Sequence, residues 1–284
     1  MTELARRLWQ RYEPYHALTY FAPESFAAYQ GAGLEGFWDG YFAGRAAPLG
    51  AVGAGAVAAT FQGFAPGFVA KRVPAVWSIV TPDEAITLRL AGIDGAARRV
   101  LGDALGSGTV AEATGLVRRA VDGCAVAGRP LFAANAELPW PDEPHLALWH
   151  ATTLLREHRG DGHVVAVTAA GLDSCEVHVV RLAAAGEARD WILLARGWSE
   201  DDWDAAVERL RTRGWLDAGG LTPWGREQHA GIETLTDRLA QPPLDRLGTE
   251  RGEALLDTLT AIATKVGDTG QVPYPNPIGL SPPA

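Results

Sequence analysis

The stretch Leu210-Arg-Thr-Arg-Gly214-Trp-Leu-Asp-Ala-Gly-Gly-Leu221-Thr-Pro-Trp-Gly225-Arg leaves the chain few ways to fold. A helix running toward Arg213 must stop at Gly214, because glycine takes the left-handed backbone at a helix end without steric cost. Leu216 and Leu221 flank Asp217-Ala-Gly-Gly220, a composition that closes a tight hairpin between two very short strands. Thr222-Pro223 then supplies a cap and a first-turn proline, so a new helix starts at once and runs to about Leu239. Strands this short are not stable alone and must rest on the helices around them.

Helix signals dominate the rest. The patterns predict helices over Thr2–Arg11, ended near Pro14, over Pro23–Tyr29, and over Gly36–Arg45, stopped by Pro48-Leu49-Gly50. Thr81-Pro-Asp-Glu84 has the capping-box spacing and opens a helix to about Gly102. Further helices are expected over Val110–Val121, Glu143–His158 behind an Asp142 cap, His163–Ala169, Asp173–Ala183, Ser199–Arg213 and Glu250–Val266. Asn135 and Glu137 are expected in a loop, and the proline-rich tail from Pro273 as irregular surface chain. Breaks at Gly128-Arg-Pro130 and Pro139–Pro144 divide the chain into residues 1–128 and 129–284.

Val57-Ala-Ala-Thr60-Phe-Gln-Gly63-Phe aligns without gaps on Val165-Ala-Val-Thr168-Ala-Ala-Gly171-Leu. Each copy reads as helix, glycine turn, helix, and each precedes a tryptophan and a capped helix. An ancestral duplication and coincidence in an Ala- and Val-rich chain both account for it. The fold class that follows is mainly α: tandem winged-helix-like halves, with a small β-wing in the C-terminal half.

Together with Tyr41-Phe-Ala-Gly-Arg-Ala-Ala-Pro-Leu-Gly50, Gly128-Arg-Pro-Leu-Phe, Leu155-Arg-Glu-His-Arg-Gly-Asp-Gly-His163 and Arg196-Gly-Trp198, the wing resembles an actinobacterial family of helix-turn-helix proteins with a MarR-like wing. That resemblance implies the fold and no settled activity. In a MarR-like arrangement the helix before the wing enters the major groove. Here it opens with Glu200, Asp201, Asp202 and Asp204, at the end where base-reading residues normally sit. Such a front repels phosphate, and the chain as a whole carries 34 acidic against 25 basic residues. Nucleic acid is therefore a disfavoured partner.

Four of the seven histidines lie between Pro144 and His163. His150 and Glu157 are seven apart and share one face of a helix, with His158 on the flank and Asp161 and His163 in a Gly-Asp-Gly turn. Three arrangements satisfy this composition: a buried ion-pair network, a catalytic or ligand site, and a metal site. The absence of His-x-x-x-His spacing weakens the last. In the first half, His16 and Tyr20 are four residues apart, and Arg45 ends an apolar helix carrying Tyr41. A lone arginine there needs a carboxylate or an anionic ligand.

The leading expectation is thus a small-molecule site between two lobes, with His16, His150 or His158 handling protons and Glu157 or Asp161 orienting them. His16, Tyr20, Tyr41, Arg45, Trp149, Arg156 and His163 would contact an organic, anionic ligand. The alternative is a MarR-like ligand-responsive regulator, a homodimer through its terminal helices. No phosphate loop, dinucleotide fingerprint or nucleophile elbow appears, so the sequence names no cofactor and no metal. No apolar run is long enough to span a membrane. Two cysteines make no disulfide framework and fit a reducing cytoplasm.

Overall fold

The computed structural model describes residues 2–106, 108–274, 276 and 278–280. The chain is mainly helical: α1 (Thr2–Phe21), α2 (Pro23–Gly31), α3 (Phe37–Ala46), α4 (Ala54–Phe61), α5 (Pro66–Ala70), α6 (Pro82–Leu101), α7 (Gly108–Val121), α8 (Pro130–Ala136), α9 (Pro144–Ala169), α10 (Glu176–Ala185), α11 (Asp190–Arg196), α12 (Glu200–Thr212), then the hairpin β1 (Leu216–Asp217) and β2 (Gly220–Leu221), and α13 (Pro223–Leu239), α14 (Pro242–Leu247) and α15 (Thr249–Asp268).

The hairpin forms as its sequence dictates. Leu216 pairs with Leu221 and Asp217 with Gly220. The Asp217 carboxylate accepts from Gly219 N–H at 2.7 Å, which rigidifies the turn. Leu216 and Leu221 then bury against Trp203, Leu210 and Ile232. Thr222 caps α13 by accepting from Gly225 N–H at 2.9 Å. At the other end of the motif, Ser199 and Asp202 close a reciprocal capping box on α12. Thr81 and Glu84 do the same for α6.

Three apolar cores organise the chain. The largest gathers α1, α6, α7, α14 and α15 around the first half of α9. A second joins α2 to α5 and the start of α6, with Leu131 of α8. The third holds α10 to α13, the hairpin and the last turns of α9. Helix α9 is therefore common to the first and third cores.

Several expectations need correction. Pro14 does not end the first helix, which continues to Phe21. A proline removes one backbone donor, and burying Tyr12, Tyr15, Ala17 and Leu18 in the main core outweighs that loss. The helices expected at Glu143–His158 and His163–Ala169 are one, so Gly160-Asp-Gly162 is not a turn. Gly162 is needed there for close packing: a Cβ would stand 2.8 Å from Arg129 Nη1 and 3.2 Å from Leu239 Cβ. Glu143, not Asp142, occupies the cap of α9 and makes no side-chain bond there. Asn135 lies inside α8 and Glu137 ends it.

The described tail residues form no helix or strand, and Asn276 and Leu280 among them are buried. Asn276 Nδ2 donates to Leu280 O and Asn276 Oδ1 accepts from Leu280 N, which turns the chain back. Val272 and Leu280 then enter the main core. Pro275 and Pro277 lie outside the described residues. The two aligned segments differ in setting: Val57 is fully buried in α4, whereas Val165 is 44% exposed on α9. Among the described residues the hairpin is the only sheet, so nothing corresponds to a wing in the first half.

Candidate functional site

The last turn of α3 meets the middle of α9. Arg45 forks onto the Glu157 carboxylate through Nε at 3.4 Å and Nη2 at 3.3 Å. Arg156 Nη1 donates to the same carboxylate at 2.7 Å and its Nε reaches Glu13 at 3.5 Å. Arg45 Nη1 also donates to the Tyr41 hydroxyl at 3.0 Å. On the adjoining face, His16 bonds Thr153 through Nδ1 and Tyr20 through Nε2, and stacks parallel to Trp149. Tyr20 and Tyr41 touch, ring centre to ring centre, at 5.2 Å. Seven sequence-selected residues (His16, Tyr20, Tyr41, Arg45, Trp149, Arg156 and Glu157) are thus contiguous.

Glu157 is 2% exposed. Burial pushes its carboxyl up, but Arg156 and Arg45 outweigh that and hold it at about 2. Burial raises the Glu13 carboxyl against the pull of Arg156. Burial, aided by Arg156, drives the His16 imidazole well below its ordinary value, so it is neutral. For Tyr41, burial is outweighed by Arg45, Arg196 and Arg156, which leave the phenol below its ordinary value.

Two cavities flank this network and share Tyr41 and Arg45 as a common wall. One is an inner chamber of about 30 Å³ bounded by His16, Tyr20, Tyr29, Arg89, Trp149 and Glu157. The other is a cleft of about 760 Å³ between the first half of the chain and the wing-bearing half. Arg156, Asp161 and His163 of α9 line it, with Phe61 and Gln62 at the end of α4 and with His178, Arg181 and Arg196 of α10 and α11. Asn276 and Leu280 of the tail contribute to its rim.

Asp161 and His163 therefore face the cleft, but from a helix and not from a turn. The Asp161 carboxylate accepts from Phe132 N–H at 2.9 Å. Burial pushes its carboxyl up to about 7, with Glu157 adding to the rise and the Phe132 donor opposing it. His163 bonds Thr236 at 3.1 Å, and burial lowers its imidazole.

His150 and His158 do not join the cluster. Seven residues of helix span about 10 Å of axis. His150 accordingly sits edge-on against Trp140, away from the Arg45 fork. His158 packs edge-on against Phe132 and accepts from Ala125 N–H. Neither borders the chamber or the cleft.

Sequence reading missed Arg89, Arg181, Arg196 and His178. Periodicity held the signal for Arg89, which shares a stripe with buried Ala85, Ile93 and Ala96 of α6. Arg196 likewise follows buried Ile192 and Leu193. Among the described residues, no group of three or more His, Cys, Asp and Glu is placed to hold a metal ion.

The Asp161 carboxyl sets a pH dependence. A carboxyl raised in the folded state contributes stability that is full below about 4 and is lost as pH rises through 7. Asp161→Asn should abolish that decline. Urea unfolding at pH 5 and pH 7.5 should show wild-type stability falling and the variant flat; parallel declines would remove Asp161 as the cause.

The surface of α12 is acidic. Glu200, Asp201, Asp202, Asp204 and Glu208 are exposed. The neighbouring arginines are engaged: Arg189 with Glu200 and Asp204, Arg209 with Asp173 and Glu176, Arg211 with Glu208, and Arg213 with Glu176.

Helices α10 to α12 precede the capped hairpin and share one core with it. The chain belongs to a helix-turn-helix family, which matches residues 5–273. No curated protein and no solved structure matches it. No single helix among the described residues is long and apolar enough to cross a membrane.

Proposed function

We propose that this helix-turn-helix scaffold binds a small anionic organic molecule in the cleft between residues 1–128 and 129–284. The supporting observation is the concentration of guanidinium groups on the cleft wall. Six arginines line it against four acids, Glu13, Asp161, Glu187 and Glu233. Burial raises the carboxyls of Glu13 and Asp161, which weakens their compensation further. Arg6 and Arg159 are held by Glu233 and Asp237, Arg45 and Arg156 by Glu157 and Glu13, and Arg181 by Glu187, so the guanidinium groups are fixed in place along the wall where an anion could reach them. Tyr41 and Phe61 supply apolar wall. Asp161, with its carboxyl near neutrality, is the cleft group suited to exchanging a proton. His150 and His158 have no part in this reading. The free thiols Cys124 and Cys175 fit a cytoplasmic setting.

Native mass spectrometry of protein purified from its own host tests this. The expected spectrum shows a bound species of a few hundred daltons, absent from an Arg156→Met, Arg196→Met double variant. Retention of the same species by that variant would place the ligand elsewhere.

Family membership and the wing favour a second reading, a MarR-like ligand-responsive regulator that dimerises through its terminal helices and descends from tandem winged-helix halves. The acidic α12 face opposes it, because carboxylates there cannot release counterions from a duplex. A gel-shift titration on a random duplex pool at physiological salt should show no nanomolar complex. A tight complex with steep salt dependence would establish the regulator.

A further inference from the structure

The inner chamber holds a cation with no matching anion. Arg89 of α6 is 5% exposed. Its Nη1 donates to Gly44 O at 3.1 Å and its Nη2 reaches the Asn135 side-chain oxygen at a long 3.4 Å. Its Nε is buried and has no hydrogen-bond partner among the described residues. The guanidinium lies over the Trp149 ring, 5.1 Å from its centre. No carboxylate among the described residues forms an ion pair with it. Glu157, the acid whose charge reaches it, is already forked by Arg45 and bound by Arg156. A buried guanidinium served only by neutral acceptors is costly unless an anion completes it.

The rest of the chamber suits such an anion. Arg89 and Arg45 face it against the single carboxylate Glu157, which leaves one net positive charge. His16 is neutral and does not alter that balance. The Tyr29 hydroxyl is fixed at the wall because its ring lies on Gly40 and Gly44, where a Cβ at Gly44 would come within 1.9 Å of the Tyr29 oxygen. The free volume of about 30 Å³ matches a planar group of a few heavy atoms. Phe26 and Phe37 also border the chamber, each 39% exposed, and mark its apolar mouth.

We propose that the chamber is a carboxylate site, with Arg89 as its cationic anchor and Phe26 and Phe37 at its entrance. The carboxylate is either a free formate-sized acid or the end of a longer acid whose chain emerges between the two phenylalanines. The site is separate from the cleft and does not depend on the cleft being occupied.

Saturation-transfer NMR with sodium formate and sodium hexanoate, at ionic strength held constant with chloride, tests the assignment. Wild-type protein should bind at least one acid saturably, and Arg89→Met should weaken that acid tenfold or more. Equal binding of the two identifies a free small acid, and tenfold tighter hexanoate identifies the end of a longer one. Arg181→Met, which alters the cleft wall alone, should leave the affinity within about twofold. Should Arg89→Met fail to fold, thermal unfolding of wild-type protein decides: formate must raise the midpoint and formamide must not. Absence of saturable binding by both acids, or binding undiminished in folded Arg89→Met, would overturn the proposal. An empty cleft in native mass spectrometry would leave it standing.

Discussion

Glu157→Gln should destabilise the protein by about 3–5 kcal/mol, the usual cost of removing one partner from a buried ion pair. The glutamine keeps the shape of the side chain and loses the charge, so Arg45 and Arg156 face each other across a neutral amide. Both are largely buried, 10% and 13% exposed, and water cannot screen them effectively. The same charge fixes the pH profile of this contribution. A carboxyl held at about 2, against 4.5 for the free group, gives stability that is full above pH 4.5 and fades as pH falls toward 2. Urea denaturation at pH 7 measures the loss. Adding Arg45→Met to Glu157→Gln should recover part of it, because the repulsive charge goes with the arginine. A single variant within about 1 kcal/mol of wild type would mean that the network is looser and wetter than its geometry implies.

Gly225→Ala should cost about 3 kcal/mol by forcing atoms into a filled space. A Cβ at this position would lie 2.1 Å from the Trp215 carbonyl oxygen and 2.9 Å from its carbon. Neither atom can retreat cheaply. The Trp215 carbonyl accepts from Thr222 N–H at 3.0 Å, and that bond ties the hairpin to α13. Gly231→Ala, in the same helix, is the control. Nothing lies within 4 Å of its Cβ, and alanine is the better helix former by roughly 1 kcal/mol. Thermal unfolding followed by near-ultraviolet circular dichroism should therefore separate the two in opposite directions. Equal midpoints would show that the hairpin docks less closely than these distances imply.

Local chemistry made part of this fold legible. The capping boxes at Thr81 and Ser199, the Thr222-Pro223 start and the Asp217–Gly220 turn are contests among neighbouring residues, and their outcomes are visible in order along the chain. Signals that depend on distant partners were not. Gly160-Asp-Gly162 has turn composition, but the segment is helical, and Gly162 packs closely against Arg129 and Leu239. Pro14 was overruled in the same way by the main core. For the site, lone charges in apolar surroundings were sound guides: Arg45, Arg156 and Glu157 do meet. Histidine density gathered less, because His150 and His158 lie against Trp140 and Phe132, apart from the Arg45 fork. Arg89 stood between two leucines and met the same criterion that singled out Arg45, yet escaped notice without a helix-wide count of its stripe.

Helix α9 is 26 residues long, about 39 Å at 1.5 Å per residue. It is anchored at one end among α1, α7 and α15 and at the other beneath the hairpin. The cleft lies alongside this beam, so its two sides share a backbone with no joint in it. Occupancy of the cleft would then be felt at α12 as a small roll or slide of flanking helices around a fixed axle, and not as two jaws swinging shut.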